Sequence, residues 1–563
     1  MSYLKRFYLL LVFGCWFSAG WSQQLNLEIS TNKKENQSVL DSVSYQKKHS
    51  NFKSITSTQE KLLQKLQKAG YISVKYSSVK KINDSTYFSK ITLGKIYRDI
   101  KIYHTSEIDK NSVKKYLRKE TDTSFVIKLN MVEKVLQELN SNLAEKGKPF
   151  NSLQLKNLQS KDSLLTANLT INQTKLRQID NIIVKGYKKF PKSFLRHYLR
   201  IRKKEVFSKE KLTNKLKKLK NLRFATSYKE PEVLFTKDST NIYLYLEKKD
   251  SNLFDGFLGF ATNPKTNKLE LNGYVNLSLV NNLNFGESLS LEYKNDAQER
   301  QHFYANLKLP FIFNSPFGLR FNLELYKQDS TYTTNAQKVA VDYQINPTTL
   351  TYAGYKAEKS NNLSNTTNLI SATQDYNASF FTLGAEYRVL NADNQLTPIQ
   401  TNLNLQVDIG QRETEGKNTN QVIAFFQGTH IFNLNRLNSI FIGNQTGYLN
   451  SDNYLENELF RFGGIKSLRG FEENSLRASF YTSFQTEYRY LLSPNLYAHS
   501  ILDFAQTENG ITKAKNTLYG IGIGLGLQTK AGLLRLNFAN GKTESQNFEF
   551  RNSKIHLSLT AIF

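Results

Sequence analysis

Arg469 lies in a stretch that predicts a loop folded back onto its neighbours. The stretch, residues 461–471, contains the adjacent glycines Gly463 and Gly464 and the triplet Arg469–Gly470–Phe471. Runs of alternating residues that predict β-strands flank it. An exposed surface loop is the alternative interpretation, because glycine alone is also typical of such loops. A guanidinium can form two parallel hydrogen bonds with one carboxylate, so the chemistry expected of Arg469 is the binding of an acid.

Two acidic residues in the strands that follow are the predicted partners of Arg469. Glu487 lies in a run whose aromatic residues, such as Phe484, fall on the opposite face of the strand. In the next run, Asp503 likewise falls on the face of the strand opposite Leu502. If the apolar faces point outward, both carboxylates point inward from neighbouring strands. The sequence therefore predicts an ion-paired site formed by Arg469, Glu487 and Asp503.

A row of glycines in the next predicted strand is expected to make room for this loop. The glycines alternate with large apolar residues, so they share the face on which Glu487 and Asp503 are placed. A strand face without side chains permits another backbone to approach closely. The four residues are Gly520, Gly522, Gly524 and Gly526.

No other group of residues has the spacing of a catalytic or metal site. The seven histidines are scattered without a His-x-x-x-His pair, and no Gly-x-Ser-x-Gly motif occurs. Residues 463–467 lack the glycine before the lysine and the following helix of a phosphate-binding loop. The one cysteine, Cys15, lies in the N-terminal apolar segment, so a disulfide scaffold and a Cys-ligated metal are excluded. We therefore predict no enzyme activity, no cofactor and no metal.

The composition excludes a bundle of transmembrane helices. Of the 563 residues 22% are charged, and the mean hydropathy is −0.50. After the N-terminus no apolar run approaches the roughly 20 residues that a membrane helix needs. The net charge of +28 is compatible with nucleic-acid binding, but the lysines are spread without a known nucleic-acid module. An anionic membrane surface explains the basic bias more simply, so we predict no nucleic-acid partner.

From residue 251 to residue 563 the pattern is strand, turn, strand throughout. Residues 399–409 are typical, with mostly apolar residues alternating with amides and Asp408. Alternation alone fits both a soluble sandwich, with apolar faces inward, and a membrane barrel, with apolar faces outward. The runs are close to the roughly 9–11 residues of a tilted membrane strand, which favours the barrel. We count about sixteen antiparallel strands, an even number that closes without an exposed edge.

The N-terminal part of the chain predicts a targeting segment and three small modules. Residues 1–22 have the pattern of a secretory signal, with Lys5 and Arg6 before an apolar run and small residues after it. Residues 23–94, 95–174 and 175–250 then repeat the order β-α-α-β-β. In the last module this order is a strand at 179–184, helices at 191–199 and 208–219, and strands at 228–235 and 242–247.

These features resemble the BamA-type outer-membrane assembly and secretion superfamily. Its members fold an Arg-Gly-Phe or Arg-Gly-Tyr loop into the lumen of a sixteen-stranded barrel, and the triplet 469–471 corresponds to it. Asp503 matches the partner acid of the motif arginine, although Ala505 stands where the family usually has a glycine. Residues 146–150 and 184–187 resemble landmarks of the periplasmic POTRA domains of the family. The resemblance implies α+β POTRA modules followed by an all-β transmembrane barrel.

The two ends of the predicted barrel also resemble this family. Phe563 ends the last strand, as a terminal aromatic does in outer-membrane barrels. Gly256 and Gly259 predict a short and weak first strand around residues 254–261. The family is thought to use the seam between first and last strands as a gate for client strands. Residues 251–563 are thus expected to be a gated barrel in the bacterial outer membrane, with the modules in the periplasm.

The function that the resemblance implies is the insertion or translocation of other polypeptides. The expected partners are unfolded outer-membrane or secreted polypeptides, membrane lipids, and periplasmic or lipoprotein accessory subunits. A two-partner secretion transporter, which exports one dedicated protein, shares the Arg-Gly-Phe loop and is the alternative. A passive porin-like channel needs no periplasmic modules, and a soluble adhesin would not migrate as a heat-modifiable barrel on a gel.

Overall fold

The structure is a computed structural model that describes most of the chain. The described residues are 24–33, 36–105, 108–161, 164–262, 269–295, 300–363, 373–391, 394, 396–397, 399–529, 532–543 and 553–560. The predicted signal segment and Phe563 lie outside them. The chain divides into two compact units, residues 1–177 with 206–209 and residues 178–205 with 210–563. Within the described residues, every helix is too short or too polar to cross a membrane.

The first unit begins with a small sheet covered by a helix. Its elements are β1 (Leu25–Thr31), α1 (Gln37–Ser42), β2 (Lys48–His49), α2 (Phe52–Lys68), β3 (Lys75–Tyr76), β4 (Lys80–Lys81) and β5 (Thr86–Thr92). Asn51 caps α2 by accepting a hydrogen bond of 2.8 Å from the Ser54 N–H. Ile55 and Leu62 recur at helical spacing and are buried in the core. With this cap the helix begins at Phe52.

The second sheet of this unit has the same kind of helix cover. Its elements are β6 (Asp99–Tyr103), a 3₁₀ helix (Lys110–Tyr116), β7 (Lys119–Glu120), β8 (Ser124–Lys128), α3 (Val132–Glu145), β9 (Ser152–Lys161) and β10 (Leu164–Asn172). Val135, Leu139 and Leu143 of α3 are buried, and Gly147 follows its end with φ +86°. The hairpin of β7 and β8 was not predicted, because β7 is two polar residues long.

The second unit begins with a three-stranded sheet that leads into the large sheet. Its elements are β11 (Asn181–Gly186), a π-helix (Phe194–Tyr198), α4 (Lys209–Lys217, whose first residue falls in the other unit), a 3₁₀ helix (Lys218–Asn221), β12 (Ala225–Phe235) and β13 (Thr240–Lys248). The predicted helix at 191–199 is thus mainly a π-helical turn, with Phe194, Leu195 and Tyr198 all buried.

The three small sheets share one strand pattern. In each, the first strand of the module pairs in parallel with its last strand: β1 with β5, β6 with β10, and β11 with β13. The last strand also pairs antiparallel with the strand before it, which is β4, β9 or β12. The repeated order read from the sequence therefore corresponds to a repeated topology.

The rest of the chain forms one sheet of sixteen antiparallel strands. Consecutive strands are neighbours, except that two short strands, β25 (Phe460–Phe462) and β26 (Leu476–Ala478), form a separate two-stranded sheet. The strands of the large sheet are β14 (Leu253–Thr262), β15 (Leu269–Val280), β16 (Ser288–Asn295), β17 (Gln301–Leu309), β18 (Phe317–Gln328), β19 (Tyr332–Asn346), β20 (Thr349–Asn362), β21 (Tyr376–Leu390), β22 (Ile399–Thr414), β23 (Lys417–Asn433), β24 (Asn438–Ser451), β27 (Phe480–Ser493), β28 (Leu496–Glu508), β29 (Lys515–Thr529), β30 (Gly532–Lys542) and β31 (Lys554–Thr560). The predicted fold class is confirmed.

The outward face of this sheet is apolar and the inward face is polar. Phe381 and Ile523 are 74% and 68% exposed, whereas Asp408 and Glu487 are 2% and 1% exposed. The sequence alone did not show which face of each strand points inward. In the structure the polar face does, as in a membrane barrel with a polar interior. The soluble sandwich, in which the apolar faces would be buried, is excluded.

The first and last strands of the barrel lie beside each other. In the described part of the chain the ladder of paired strands runs from β14 to β31, without a ladder that joins these two ends. The first strand predicted around residues 254–261 is β14, whose ten residues all pair with β15. Gly256 and Gly259 are accommodated within this regular pairing.

Candidate functional site: a loop inside the barrel

Residues 452–479, between β24 and β27, form a loop that packs against the inner wall of the barrel. We call them the inserted loop. It contains a 3₁₀ turn (Glu456–Glu458) and the hairpin of β25 (Phe460–Phe462) and β26 (Leu476–Ala478). The ring of Phe462 stacks on Tyr481 of β27, with centroids 4.2 Å apart and planes 3° from parallel. Aromatic packing thus fixes the hairpin to the wall.

A buried ion pair holds the beginning of the inserted loop. The Nη1 atom of Arg412 on β22 donates to both carboxylate oxygens of Glu458, each at 2.7 Å. Gln421 on β23 donates to the same carboxylate at 2.9 Å. The side chains of Arg412 and Glu458 are 2% and 6% exposed. Nearby, the Arg461 guanidinium lies 3.9 Å from the centroid of the Tyr326 ring on β18.

Replacing Arg412 with alanine is expected to loosen the loop at this point. The Glu458 carboxylate would stay buried without a cation, with Gln421 and the Leu455 N–H as neutral donors, a change that costs on the order of 3 kcal/mol. We expect faster trypsin cleavage after Arg461 in the folded barrel, measured by mass spectrometry. Arg477→Ala is the matched control, because its 2.5 Å pair with Glu456 is about one-third exposed. Equal protection of wild type and Arg412→Ala would contradict the prediction.

Two glycines shape the turn that carries Arg469. Gly463 and Gly464 have φ of +110° and +90°, conformations that side chains disfavour. The Gly463 N–H donates to the Ser467 hydroxyl at 2.7 Å. A Cβ atom on Gly464 would lie 2.1 Å from the carboxylate carbon of Glu473, which accepts a hydrogen bond from the Ile465 N–H. Both positions therefore require glycine.

The structure brings Arg469, Glu487 and Asp503 together. Arg469 Nε and Nη2 donate to the two oxygens of Asp503 at 2.9 and 2.6 Å, and the Arg469 backbone N–H also donates to Asp503 at 2.9 Å. Arg469 Nη1 donates to Glu487. Arg469 is 1% exposed, so the pair is shielded from water and the bidentate geometry is strong.

Two further arginines converge on Glu487. Arg489 Nε donates to one carboxylate oxygen at 2.7 Å, and Arg535 Nη2 donates to the other at 2.8 Å. Three guanidinium groups thus face two carboxylates, which leaves one excess positive charge at the tip of the loop. The sequence analysis missed Arg489 and Arg535. Strand parity could have found both, since Arg489 shares the face of Glu487 and Arg535 lies opposite exposed Leu536.

A pair of facing glycines lies under the tip of the loop. Gly520 on β29 and Gly541 on β30 are partners in the strand register. A Cβ atom on Gly520 would lie 2.3 Å from the Arg469 carbonyl oxygen, and one on Gly541 would lie 2.7 Å from the Gly470 carbonyl oxygen. Gly470 itself has φ +93° and would place a Cβ atom 2.4 Å from the Gly541 nitrogen. The backbone of the loop therefore touches the wall here.

The other three glycines of the predicted row have a different role. A Cβ atom on Gly522 would meet the backbone of β30, 2.1 Å from the Phe538 carbonyl oxygen. Gly524 makes room for His499, and Gly526 makes room for Tyr497, both on β28. Only Gly520 faces the inserted loop, so the expectation for Gly522, Gly524 and Gly526 is corrected. Large side chains of β28 occupy the space beside Gly524 and Gly526 instead.

The last strand also contacts the tip of the loop. Lys554 Nζ lies 2.9 Å from the Glu472 carboxylate, and the Gly470 N–H donates to His556 Nε2 at 3.3 Å. Lys554 and His556 lie on the face of β31 opposite Ile555 and Leu557, which are strongly exposed. The loop is therefore in contact with β28, β29, β30 and β31.

A second network of charges lies on the wall formed by β17 to β21. Arg320 on β18 binds both oxygens of Asp342 on β19, at 2.9 and 3.3 Å, and donates to Glu386 on β21 at 2.6 Å. Lys308 on β17 donates to Glu386 at 3.0 Å. These charged residues make this part of the inner wall polar. Among the described residues, no acidic, histidine or cysteine cluster has the form of a metal site.

The architecture and one of its modules are similar to known proteins. CdiB from Escherichia coli is 11% identical, with a TM-score of 0.53 over 94% of this chain and 97% of that chain. CdiB from Acinetobacter baumannii is 15% identical, with a TM-score of 0.51 over 94% and 96%. BamA from Haemophilus ducreyi lacking POTRA domains 1–3 is 16% identical, with a TM-score of 0.48 over 77% and 93%. No curated protein matches the chain.

These comparisons define the class of fold. The chain has the architecture of a β-barrel protein with preceding small modules, as the two CdiB structures do. Residues 178–252 match the family model of the POTRA domain, described as surface antigen variable number repeat. The third module is therefore a POTRA domain, and the predicted order of small α+β modules followed by a β-barrel is confirmed at the level of the fold.

Proposed function

We propose that this protein inserts other polypeptides into the bacterial outer membrane or translocates them across it. The modules receive an unfolded client, the barrel seam admits it, and the inserted loop braces the barrel. The proposal requires no covalent chemistry, no cofactor and no nucleic acid. The partners are the client polypeptides, membrane lipids and accessory subunits that bind the modules from the periplasm or as lipoproteins.

The exposed faces of the barrel support a location in the outer membrane. Its outward side chains are apolar along most strands, and a bilayer is the environment that such a surface matches. Sixteen strands whose backbone groups pair with each other leave few unsatisfied groups in the hydrocarbon region. The POTRA domain is joined directly to β14, so this domain lies on the side of the short turns, which is the periplasmic side in such barrels.

The observation that carries the proposal is the open edge of the modules. β9 and β12 are at the ends of their sheets, and they have ten and eleven residues. An edge strand of this length can pair with an extended client through main-chain hydrogen bonds. A passive channel would have no use for two such edges.

Residues 24–51 bear on the choice between the two transport alternatives. A dedicated two-partner secretion transporter is expected to carry a long plug helix near its N-terminus. In the described residues between 24 and 51, the chain forms β1, the six-residue helix α1 and β2, all within the first module. This arrangement favours a general assembly factor.

Depletion of the protein in its native host tests the proposal. We expect the loss of many unrelated barrel proteins from the outer membrane, measured by quantitative proteomics of outer membrane and medium. Wild-type protein should restore them and Arg469→Ala should not. The loss of one secreted protein with other barrels intact would instead identify a dedicated transporter. An unchanged proteome would contradict both.

A further inference from the structure

The POTRA domain is seated on the rim of the barrel. The Tyr198 hydroxyl donates to the Pro347 carbonyl in the turn between β19 and β20, at 3.1 Å. The Phe194 ring meets Phe311, in the turn between β17 and β18, edge-on at 4.9 Å. Burial raises the pKa of Tyr198, so its hydroxyl remains a neutral donor. These contacts fix the domain at one part of the rim, below β18 and β19.

The turn between β17 and β18 holds one phenylalanine in solvent. Phe311, Phe313 and Asn314 have φ of +52°, +51° and +53°, which is a strained conformation for phenylalanine. Phe311 is buried against the POTRA domain, and His197 binds the Asn314 carbonyl at 2.8 Å. Phe313 between them is 98% exposed. The contacts with the POTRA domain maintain a turn that projects an apolar ring.

An apolar belt on the outer face continues from this turn. The rings of Phe317 on β18 and Tyr343 on β19 lie 5.5 Å apart, and both are exposed. Ile345, two residues after Tyr343, is also exposed at the end of β19. Aromatic residues at the ends of membrane strands are typical of the boundary between hydrocarbon and headgroups.

A basic hollow of the POTRA domain lies directly below this belt. Arg200 donates to the carbonyl of Ile345, which places the hollow at the end of β19. The hollow has a volume of about 480 Å³ and is lined by Arg200, Arg202, Lys203, Lys204 and Glu205. Residues 178–252 carry 20 Lys or Arg and eight Asp or Glu, which is a net charge of +12. A negative headgroup at the bilayer surface complements this charge.

We propose that this hollow binds the phosphate-bearing headgroup of an anionic phospholipid in the leaflet that faces the modules. The acyl chains would lie along the belt of Phe317, Tyr343 and Ile345, and Phe313 would enter the same leaflet. The inference rests on the proposed function only for the membrane location of the barrel. An acidic polypeptide would be attracted by the same charges, but it would not need a hollow that adjoins a lipid-facing apolar belt.

A tryptophan at position 313 reports on this site. Both tryptophans of the chain, Trp16 and Trp21, lie within residues 1–22, so protein beginning at residue 23 with Phe313→Trp has one tryptophan, which can be excited selectively. We would reconstitute it in phosphatidylcholine bilayers that contain a minor fraction of brominated phosphatidylglycerol or, separately, brominated phosphatidylcholine. We expect brominated phosphatidylglycerol to quench several-fold more strongly than the same fraction of brominated phosphatidylcholine.

Two charge-matched variants test whether the hollow causes the preference. Arg202→Gln with Lys204→Gln removes two exposed charges of the hollow and should reduce the ratio of quenching to about one. Lys188→Gln with Lys189→Gln removes two exposed charges elsewhere in the domain and should leave the ratio unchanged. The proposal would be overturned if the quenching ratio were unchanged in the Arg202→Gln, Lys204→Gln variant. It would also be overturned if the ratio fell equally in the Lys188→Gln, Lys189→Gln variant.

Competition and the absolute quenching separate the remaining outcomes. Glycerol phosphate or an unfolded acidic polypeptide, added at constant ionic strength, should not abolish the preference. Abolition by the first would identify a site for free phosphate, and abolition by the second a site for polypeptide, and either overturns a lipid site. Equal quenching by the two lipids would overturn the proposed lipid site but leave the membrane location of the barrel standing. No quenching by either lipid would contradict the membrane location on which the proposed function also depends.

Discussion

Arg469→Ala is expected to release the inserted loop from the barrel wall. The change leaves Asp503 without its bidentate donor and removes one of three guanidinium groups from Glu487. Breaking a buried pair in this way costs about 3–5 kcal/mol, because the remaining charge stays in a poorly hydrated site. We expect the unheated barrel to lose its compact migration on a gel at a temperature lower by about 5–10 °C.

Two further variants test whether the effect of Arg469→Ala comes from the loss of its buried ion pairs. Arg469→Lys keeps the charge but loses the planar fork, so it should restore only part of the stability. Lys466→Ala removes an exposed cation from the same turn and should behave as wild type. A full effect of Lys466→Ala, or no effect of Arg469→Ala, would show that the ion site does not hold the loop.

Gly520→Ala is expected to displace the tip of the loop without removing any charge. The added methyl group would lie 2.3 Å from the Arg469 carbonyl oxygen and 3.2 Å from Asp503 Cβ. Neither atom is the end of a flexible side chain, so the loop backbone or the strand must move. Overpacking of this kind costs about 1–3 kcal/mol. We expect a lower temperature of barrel unfolding and faster protease cleavage within residues 463–473.

A glycine elsewhere on the inner wall provides the control for Gly520. A Cβ atom on Gly443 of β24 would meet only side-chain atoms, the nearest being those of the Phe441 ring at 3.3 Å. Gly443→Ala should therefore unfold within a degree or two of wild type, because a ring edge can give way. If both glycine variants lose stability equally, the close approach of the loop at Gly520 is not the cause.

Strand parity was sufficient to predict much of this site. The side-chain period of a strand is two, so the position of Phe484 places Glu487 on the other face, and the neighbouring run does the same for Asp503. The orientation of those faces required further assumptions about length and amide content. The fold class followed from the same patterns, since the helical modules and the strands change period near residue 250.

Contacts between distant segments could not be predicted in this way. Gly541 lies in a run that resembles a strand end, and only the register with Gly520 shows that it faces the loop. The row of glycines predicted one continuous space for the inserted loop, but the rings of His499 and Tyr497 occupy the part beside Gly524 and Gly526. Arg412 and Glu458 are 46 residues apart, and their pairing depends on how the loop enters the barrel. These contacts depend on how distant segments pack together, which a local sequence pattern does not show.

The contacts of Lys554 and His556 with the loop couple the seam to the interior of the barrel. If β31 swings outward to admit a client, it must break the pair with Glu472 and the hydrogen bond from Gly470. The loop that Arg469 anchors thus resists opening. By reciprocity, a client strand that holds the seam open must weaken the seating of Arg469 by the same free energy. Under the proposed function, the occupancy of the seam would therefore be transmitted to the lumen, and the strength of the arginine site would set how readily the proposed gate opens.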